Sequence, residues 1–345
     1  MAYTTINKSS NYFNTKLFTG NGGTQSISSV GFQPDWVWLK SRSVADSPIL
    51  FDAVRGVTKR LMSNSTGAET TEAQEVQSFD SDGFTVGNSD NANRNNATMV
   101  GWNWKANGAG SSNTDGSITS TVSANTTAGF SIVKWTGNNG AGATVGHGLG
   151  SIPKIVLVKN IQQSGYDWVM YHASLGNTKR IWLNLTNAVS TNTGSWNNTT
   201  PSSSVFTLGS SGETNGSGEM IGYCFAEKQG YSKFGSYTGN GNADGSFIYT
   251  GFKPAWVMIK KTNDTHAWRI YDGVRDTHNL TEKILEPNTS NAEATSGTYV
   301  LDLVSNGFKF RGNGDGVNGS GQSFIYMAFA EAPLVGTNGV TAKAR

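Results

Sequence analysis

The chain contains one cysteine, Cys224, in 345 residues. No disulfide can form within it, so packing alone must hold the fold. Charge is scarce too: Asp, Glu, Lys and Arg make up 14% of the residues, with a net charge of +2. The Lys and Arg residues are scattered and leave no basic stripe for a phosphate backbone, so nucleic acid is not an expected partner. No apolar run approaches membrane-spanning length, and membrane insertion is not expected. The first residues, Met1 to Lys8, lack the basic start and apolar stretch of a secretion signal. Long helical periodicity is missing, and the best helical candidates are short polar pieces at 56–61 and 68–76. The four histidines, His147, His172, His266 and His278, are too dispersed for metal-ligand spacing, and neither a Gly-x-Ser-x-Gly elbow nor a phosphate loop occurs. Neither an enzyme nor a cofactor is expected, and Cys224 reads as a packed thiol.

Repetition takes the place of these features. Trp36-Val37-Trp38-Leu39-Lys40, Ile155-Val156-Leu157-Val158-Lys159 and Trp256-Val257-Met258-Ile259-Lys260 each follow a Gly and a Pro, and the lysines are 119 and 101 positions apart. A Thr-Gly-Asn phrase recurs at Thr19-Gly20-Asn21, Thr136-Gly137-Asn138 and Thr238-Gly239-Asn240 in nearly the same register. Three copies of fixed order imply three modules, placed at 1–110, 111–228 and 229–332, with an extended arm at 333–345. Three small cores are expected rather than one.

Within each copy the signals are strands. The last strand alternates Val100, Trp102 and Trp104 in the first copy, Ile221, Tyr223 and Phe225 in the second, and Ile325, Met327 and Phe329 in the third. Period two means β. Small groups such as Gly101, Gly222, Cys224 and Ala328 lie on the opposite face, where a second layer can approach closely. Asp82-Gly83 and Asn306-Gly307 suit type I′ hairpin turns, whose two central residues need positive φ. The second copy has no clear equivalent. The expected fold is all-β: three tandem antiparallel β-sandwiches of the jelly-roll or concanavalin-like kind.

Trp36, Trp38, Trp102 and Trp104 belong to alternating strands and read as core. Trp182, Trp196 and Trp268 are less tied to such runs and are the aromatic candidates for exposed ligand contacts. Asp52 and Arg55 match Asp272 and Arg275 at an offset of 220, whereas the second copy has His172 and Leu175 there. The pair reads as an ion pair or loop anchor, with ligand orientation by Arg55 and Arg275 as the alternative. The Asp80–Asp82 and Gly312–Gly316 loops hold oxygen ligands for weak calcium binding, though ordinary Asn/Asp-Gly turns explain them more simply.

Four stretches carry a resemblance: Tyr3 to Lys16; Gly31-Phe32-Gln33-Pro34-Asp35-Trp36-Val37-Trp38; Asp52-Ala53-Val54-Arg55-Gly56-Val57; and Tyr326-Met327-Ala328-Phe329-Ala330-Glu331-Ala332-Pro333-Leu334-Val335-Gly336. Together they resemble a family of structural proteins of marine tailed bacteriophages, over nearly the whole chain. The resemblance implies a virion protein released by host lysis and in contact with other virion proteins. It leaves two roles open. One is a tail-fibre or spike adhesin that binds host-surface glycans, trimeric if a fibre; the other is a decoration protein that cements capsid or tail. Either terminal arm is suited to adding a strand to a neighbour's sheet.

Overall fold

The alternating strand that ends each repeat becomes the middle of a sheet. In the computed structural model, which describes residues 3–336, Thr98–Trp104, Glu219–Phe225 and Ser323–Pro333 each lie between two antiparallel partners. On one side is Phe13–Thr19, Phe130–Thr136 or Ser232–Thr238. On the other is the strand of the repeated phrase, Trp36–Ser41, Ile155–Asn160 or Phe252–Lys261. The sheets then continue through Ile49–Asp52, Val169–His172 and Arg269–Asp272. The second sheet is the widest, with eight strands, because Ser111–Asn113 and Ser120–Asn125 extend it beyond Phe130–Thr136.

A smaller sheet covers one face of each large one. It consists of Gln25–Ile27, Gly83–Val86 and Val76–Asp80 in the first repeat, Ala143–Gly146 with Val205–Leu208 in the second, and Phe247–Tyr249, Gly307–Phe310 and Leu301–Val304 in the third. The chain is thus nearly all β and sandwich-like. Among the described residues the α-helices are four single turns: Asp90–Asn93, Thr193–Trp196, Gly212–Asn215 and Asp315–Asn318. The polar stretches read as helical from sequence are not helices; Lys59–Met62 and Thr70–Thr71 are strands there.

The core departs from the expectation of three separate ones. Each sandwich does have its own core, built around Val37 and Phe84, around Val156 and Phe206, and around Val257 and Phe308. The opposite faces of the large sheets share a fourth and larger core, which joins Trp36, Trp102 and Trp104 to Tyr223 and Phe225 and to Trp256, Met327 and Phe329. Trp36 stacks on Tyr223 at 4.5 Å, Trp104 meets Trp256 edge-on at 5.8 Å, and Phe225 lies 5.9 Å from Phe329. Each repeat therefore touches both others. The cause is period two: these strands are apolar on both faces, the small sheet covers only one, and the other is left to the neighbours. At about 2–3 kcal/mol for each large side chain buried, the shared centre is a major part of the stability.

Hydrogen bonds at the rim repeat around the ring. Glu69 N donates to Ile161 O, Val189 N to Thr262 O and Glu293 N to Arg42 O, so first meets second, second meets third and third meets first. Tyr3 and Thr4, assigned from sequence to the first module, pack on the third; the Tyr3 hydroxyl donates to Gly251 O at 2.6 Å. Most of the arm at 333–345 lies outside the described residues.

The two hairpins form where Asp-Gly and Asn-Gly mark them, but not as type I′ turns. Asp80 pairs with Gly83 and Val304 with Gly307, so the turn residues are Ser81-Asp82 and Ser305-Asn306, and none of them has positive φ. The glycines are there for close approach. A Cβ on Gly83 would lie 1.9 Å from Ile27 O, and one on Gly307 2.0 Å from Ile248 O.

Candidate functional site

The Asp and Arg pairs are interior. Asp52 Oδ2 accepts from Arg55 Nε at 2.5 Å and Asp272 Oδ2 from Arg275 Nε at 2.6 Å, with all four side chains fully buried. Each guanidinium also donates to a strand carbonyl, Leu50 O or Ile270 O. Arg55 and Arg275 therefore face no solvent and cannot orient a ligand from the surface. Burial lowers and the carboxylates raise their pKa, and the net shift is upward.

A neighbouring repeat completes each cluster. The Tyr223 hydroxyl donates to Asp52 Oδ2 at 2.7 Å, and Trp102 Nε1 donates to Asp272 Oδ2 at 3.1 Å. The matching residue of the third repeat is Met327, which has no donor, and the second repeat holds His172 where the others have Asp. The His172 Nε2 lies 3.3 Å from Tyr326 O. The second repeat lacks the pair, with His172 and Leu175 at the matching places.

Two further repeated sets are structural. Lys40, Lys159 and Lys260, the last residues of the repeated phrase, are buried and held by backbone carbonyls, each including one from another repeat: Thr289 O at 3.0 Å, Thr66 O at 3.3 Å and Thr186 O at 3.0 Å. Burial pushes Lys40 and Lys159 down to about 8 and Lys260 to about 7, with Arg269 adding to the last shift. The Thr-Gly-Asn phrases meet the buried asparagines that end three of the helical turns. Asn93, Asn215 and Asn318 each accept from the backbone N–H of Asn21, Asn138 or Asn240 and donate back to its side-chain oxygen.

The tryptophans chosen from sequence do not form a ligand surface. Trp196 and Trp268 are each 1% exposed, which corrects the expectation of exposure. Trp196 packs edge-on to Tyr171, while Trp268 donates through Nε1 to Trp182 O at 2.9 Å. Trp268 plugs a seam between two repeats, and Trp196 ends a single helical turn that packs into the core of its own repeat. Trp182 is half-buried beneath the Arg180 guanidinium, and its Nε1 donates to Glu213 at 3.3 Å. The loop oxygens considered for calcium are used within the chain: Asp80 accepts from Ser78 and Thr85, and Asp82 from the backbone of Ser29 and Gly31. Folding does bring Asp264, His266 and Asp315 together. The Lys261 ammonium sits among them, 3.2 Å and 2.6 Å from the two carboxylates, and supplies the cation itself.

What sequence reasoning missed lies on the small sheet of the third repeat. The edge strand Phe247–Tyr249 turns Ile248 into the core and leaves Phe247 47% and Tyr249 54% exposed. Aligned through their pairing with the next strand, the same positions hold Ser26 and Ser28 in the first repeat and Thr144 and Gly146 in the second. The fold thus does not need aromatics there. Beyond Tyr249 lies a cleft of about 370 Å³ whose lining includes Tyr3, Glu227, Gln229 and Lys233. Burial and the neighbouring Tyr249 hydroxyl hold the Tyr3 phenol at about 12. Large, rigid rings beside a polar cleft can stack on an amphipathic ligand while the cleft binds its polar edges. The signal in the sequence is Phe-Ile-Tyr between Gly245 and Gly251, an aromatic alternation with only one aliphatic residue to face inward.

Compared with known families, residues 8–333 match one described as a domain of unknown function, DUF7483. Comparisons with curated proteins and with solved structures give no match.

Proposed function

The chain belongs to the family described as a domain of unknown function, DUF7483, and we propose, from the resemblance of its sequence to structural proteins of tailed bacteriophages, that it is a virion protein and, from the geometry of its surface, that it acts as an adhesin for host-surface glycans. The observation that carries this reading is the exposed pair Phe247 and Tyr249, present in one repeat and replaced by small residues in the other two. Exposed aromatics that packing does not require are the usual means of gripping the apolar face of a sugar. The buried ionisable clusters support a scaffold role, since Asp52, Arg55, Asp272 and Arg275 are all satisfied by the chain itself. The test is the Phe247→Ser, Tyr249→Ser double variant on a glycan array and in adsorption to host cells. It is expected to fold normally and lose binding; unchanged binding overturns the assignment.

A second reading is a decoration protein of capsid or tail. It is favoured by the strand Ser111–Asn113, which lies exposed at the edge of the eight-stranded sheet and offers backbone groups to another subunit. Under that reading the purified protein saturates bare particles and the double variant binds them as well as the parent does.

A further inference from the structure

The aromatic pair has a direction. Phe247 and Tyr249 are two residues apart on one strand, which places them about 6.5–7 Å apart along it. Across the sheet, Tyr249 pairs with Gly307 and Phe247 with Lys309. Gly307 adds no side chain, and the Phe247 ring leans over it, with Cε2 only 3.1 Å from where a Cβ would stand. The floor beside Tyr249 is therefore open, and Lys309 stands beside Phe247.

Polar groups stand at both ends of this floor. Past Tyr249 is the cleft, where Lys233 and Glu227 are 3.4 Å apart and the Gln229 side chain is exposed. At the Phe247 end, across the sheet from that ring, Lys309 pairs with Asp244 at 2.6 Å and Arg311 with Asp302 at 2.5 Å. The charges at each end are of both signs and already paired, so neither end selects an ionic ligand. Along the strand the series is polar cleft, ring and ring, with the charged border flanking the second ring across the sheet.

We infer that this face takes a linear, neutral oligosaccharide laid along the strand, with one sugar ring on Tyr249 and the next on Phe247, rather than a single terminal sugar. The inference rests on the adhesin reading and adds the length and the charge of its ligand. A single sugar covers one ring and reaches one polar end. A chain of two or more covers both rings and reaches the cleft and the Lys309–Asp244 border together, with the binding free energies combined in one association step.

The test uses the full chain on an array of neutral oligosaccharides graded from single sugars to hexasaccharides, with sulfated and sialylated chains alongside. Binding is expected on disaccharides and longer neutral chains and not on single sugars. Phe247→Ser and Tyr249→Ser should each weaken binding of the longer chains by about tenfold or more, the loss expected for one stacked ring, with unfolding midpoints unchanged. Equal binding of single sugars and chains, both lost in the variants, overturns the extended site but keeps the glycan reading. Preference for the anionic chains overturns the assignment of a neutral ligand. An array blank throughout overturns both the site and the adhesin reading.

Discussion

Replacing Tyr223 by Phe removes one oxygen from the seam between two repeats and changes nothing else of size. The ring keeps its stacking on Trp36 at 4.5 Å. What is lost is a buried 2.7 Å hydrogen bond to the ionised Asp52. A bond to a charged group contributes about 1.5–3 kcal/mol. Asp52 still holds Arg55 Nε and the backbone N–H groups of Val54 and Arg55, so it is not orphaned and the lower part of that range applies. The expected loss is about 1.5–2 kcal/mol. With an unfolding entropy of about 2.1 cal/mol/K per residue, a chain of 345 residues melting as one unit should lose about 2–3 °C. Asp52→Ala should cost more, about 3 kcal/mol, because it removes the buried carboxylate of Arg55 and leaves only the partly exposed Glu69, 3.2 Å away, to balance the guanidinium. Urea unfolding followed by tryptophan fluorescence measures both, and the double variant completes a cycle. A Tyr223→Phe protein within about 0.5 kcal/mol of the parent, or strict additivity with Asp52→Ala, would refute the claim that this contact latches two repeats.

Two other outcomes follow from the same architecture. The buried lysines have folded-state pKa values of about 7 to 8, below the usual 10.5. Between these limits the unfolded chain binds more protons, so stability should rise as pH increases from about 7 towards 10. It should then fall above 10, where the unfolded tyrosines ionise ahead of buried ones such as Tyr223 and Tyr231, whose pKa burial raises. Denaturant midpoints across this range should show the rise, and Lys260→Met should flatten it; a rise unchanged in that variant would contradict the assignment. A fragment comprising residues 111–228 alone should show molten behaviour, with dye binding and no cooperative melt, because Tyr223, Phe225 and Ile155 lose the partners that cover them. A sharp two-state transition in that fragment would mean that its own small sheet suffices.

Much of the fold can be read from the residues because the decisive strands signal twice. Val100, Trp102 and Trp104 say that one face is buried, and Gly101 and Asn103 say that something also lies close on the other. Period two does not say whose side chains do the covering. The shared core is hidden for that reason, since Trp104 packs on Trp256 across more than 150 positions of chain. In sequence the middle repeat looks merely divergent; the fold shows His172 buried, with Nε2 3.3 Å from Tyr326 O of the third repeat. Tryptophans set apart from alternating runs read as surface candidates, but isolation in sequence here means a seam between sheets, as with Trp268 and Trp182 O. Phe247 and Tyr249 escape notice because Phe-Ile-Tyr reads as one more core strand. Only the inward turn of Ile248 decides which side is wet.

The single polypeptide around the shared centre has one more consequence. If the three units were separate but identical chains meeting about an axis, every side chain would appear three times, and a change that helped one position would be imposed on all. Tethering them within one chain removes that constraint. His172 can meet the Tyr326 carbonyl while Asp272 meets Trp102, and two exposed rings can stand on one unit without tripling the sticky surface of the whole. Covalent linkage thus permits broken symmetry, with two units free to serve as support for the third.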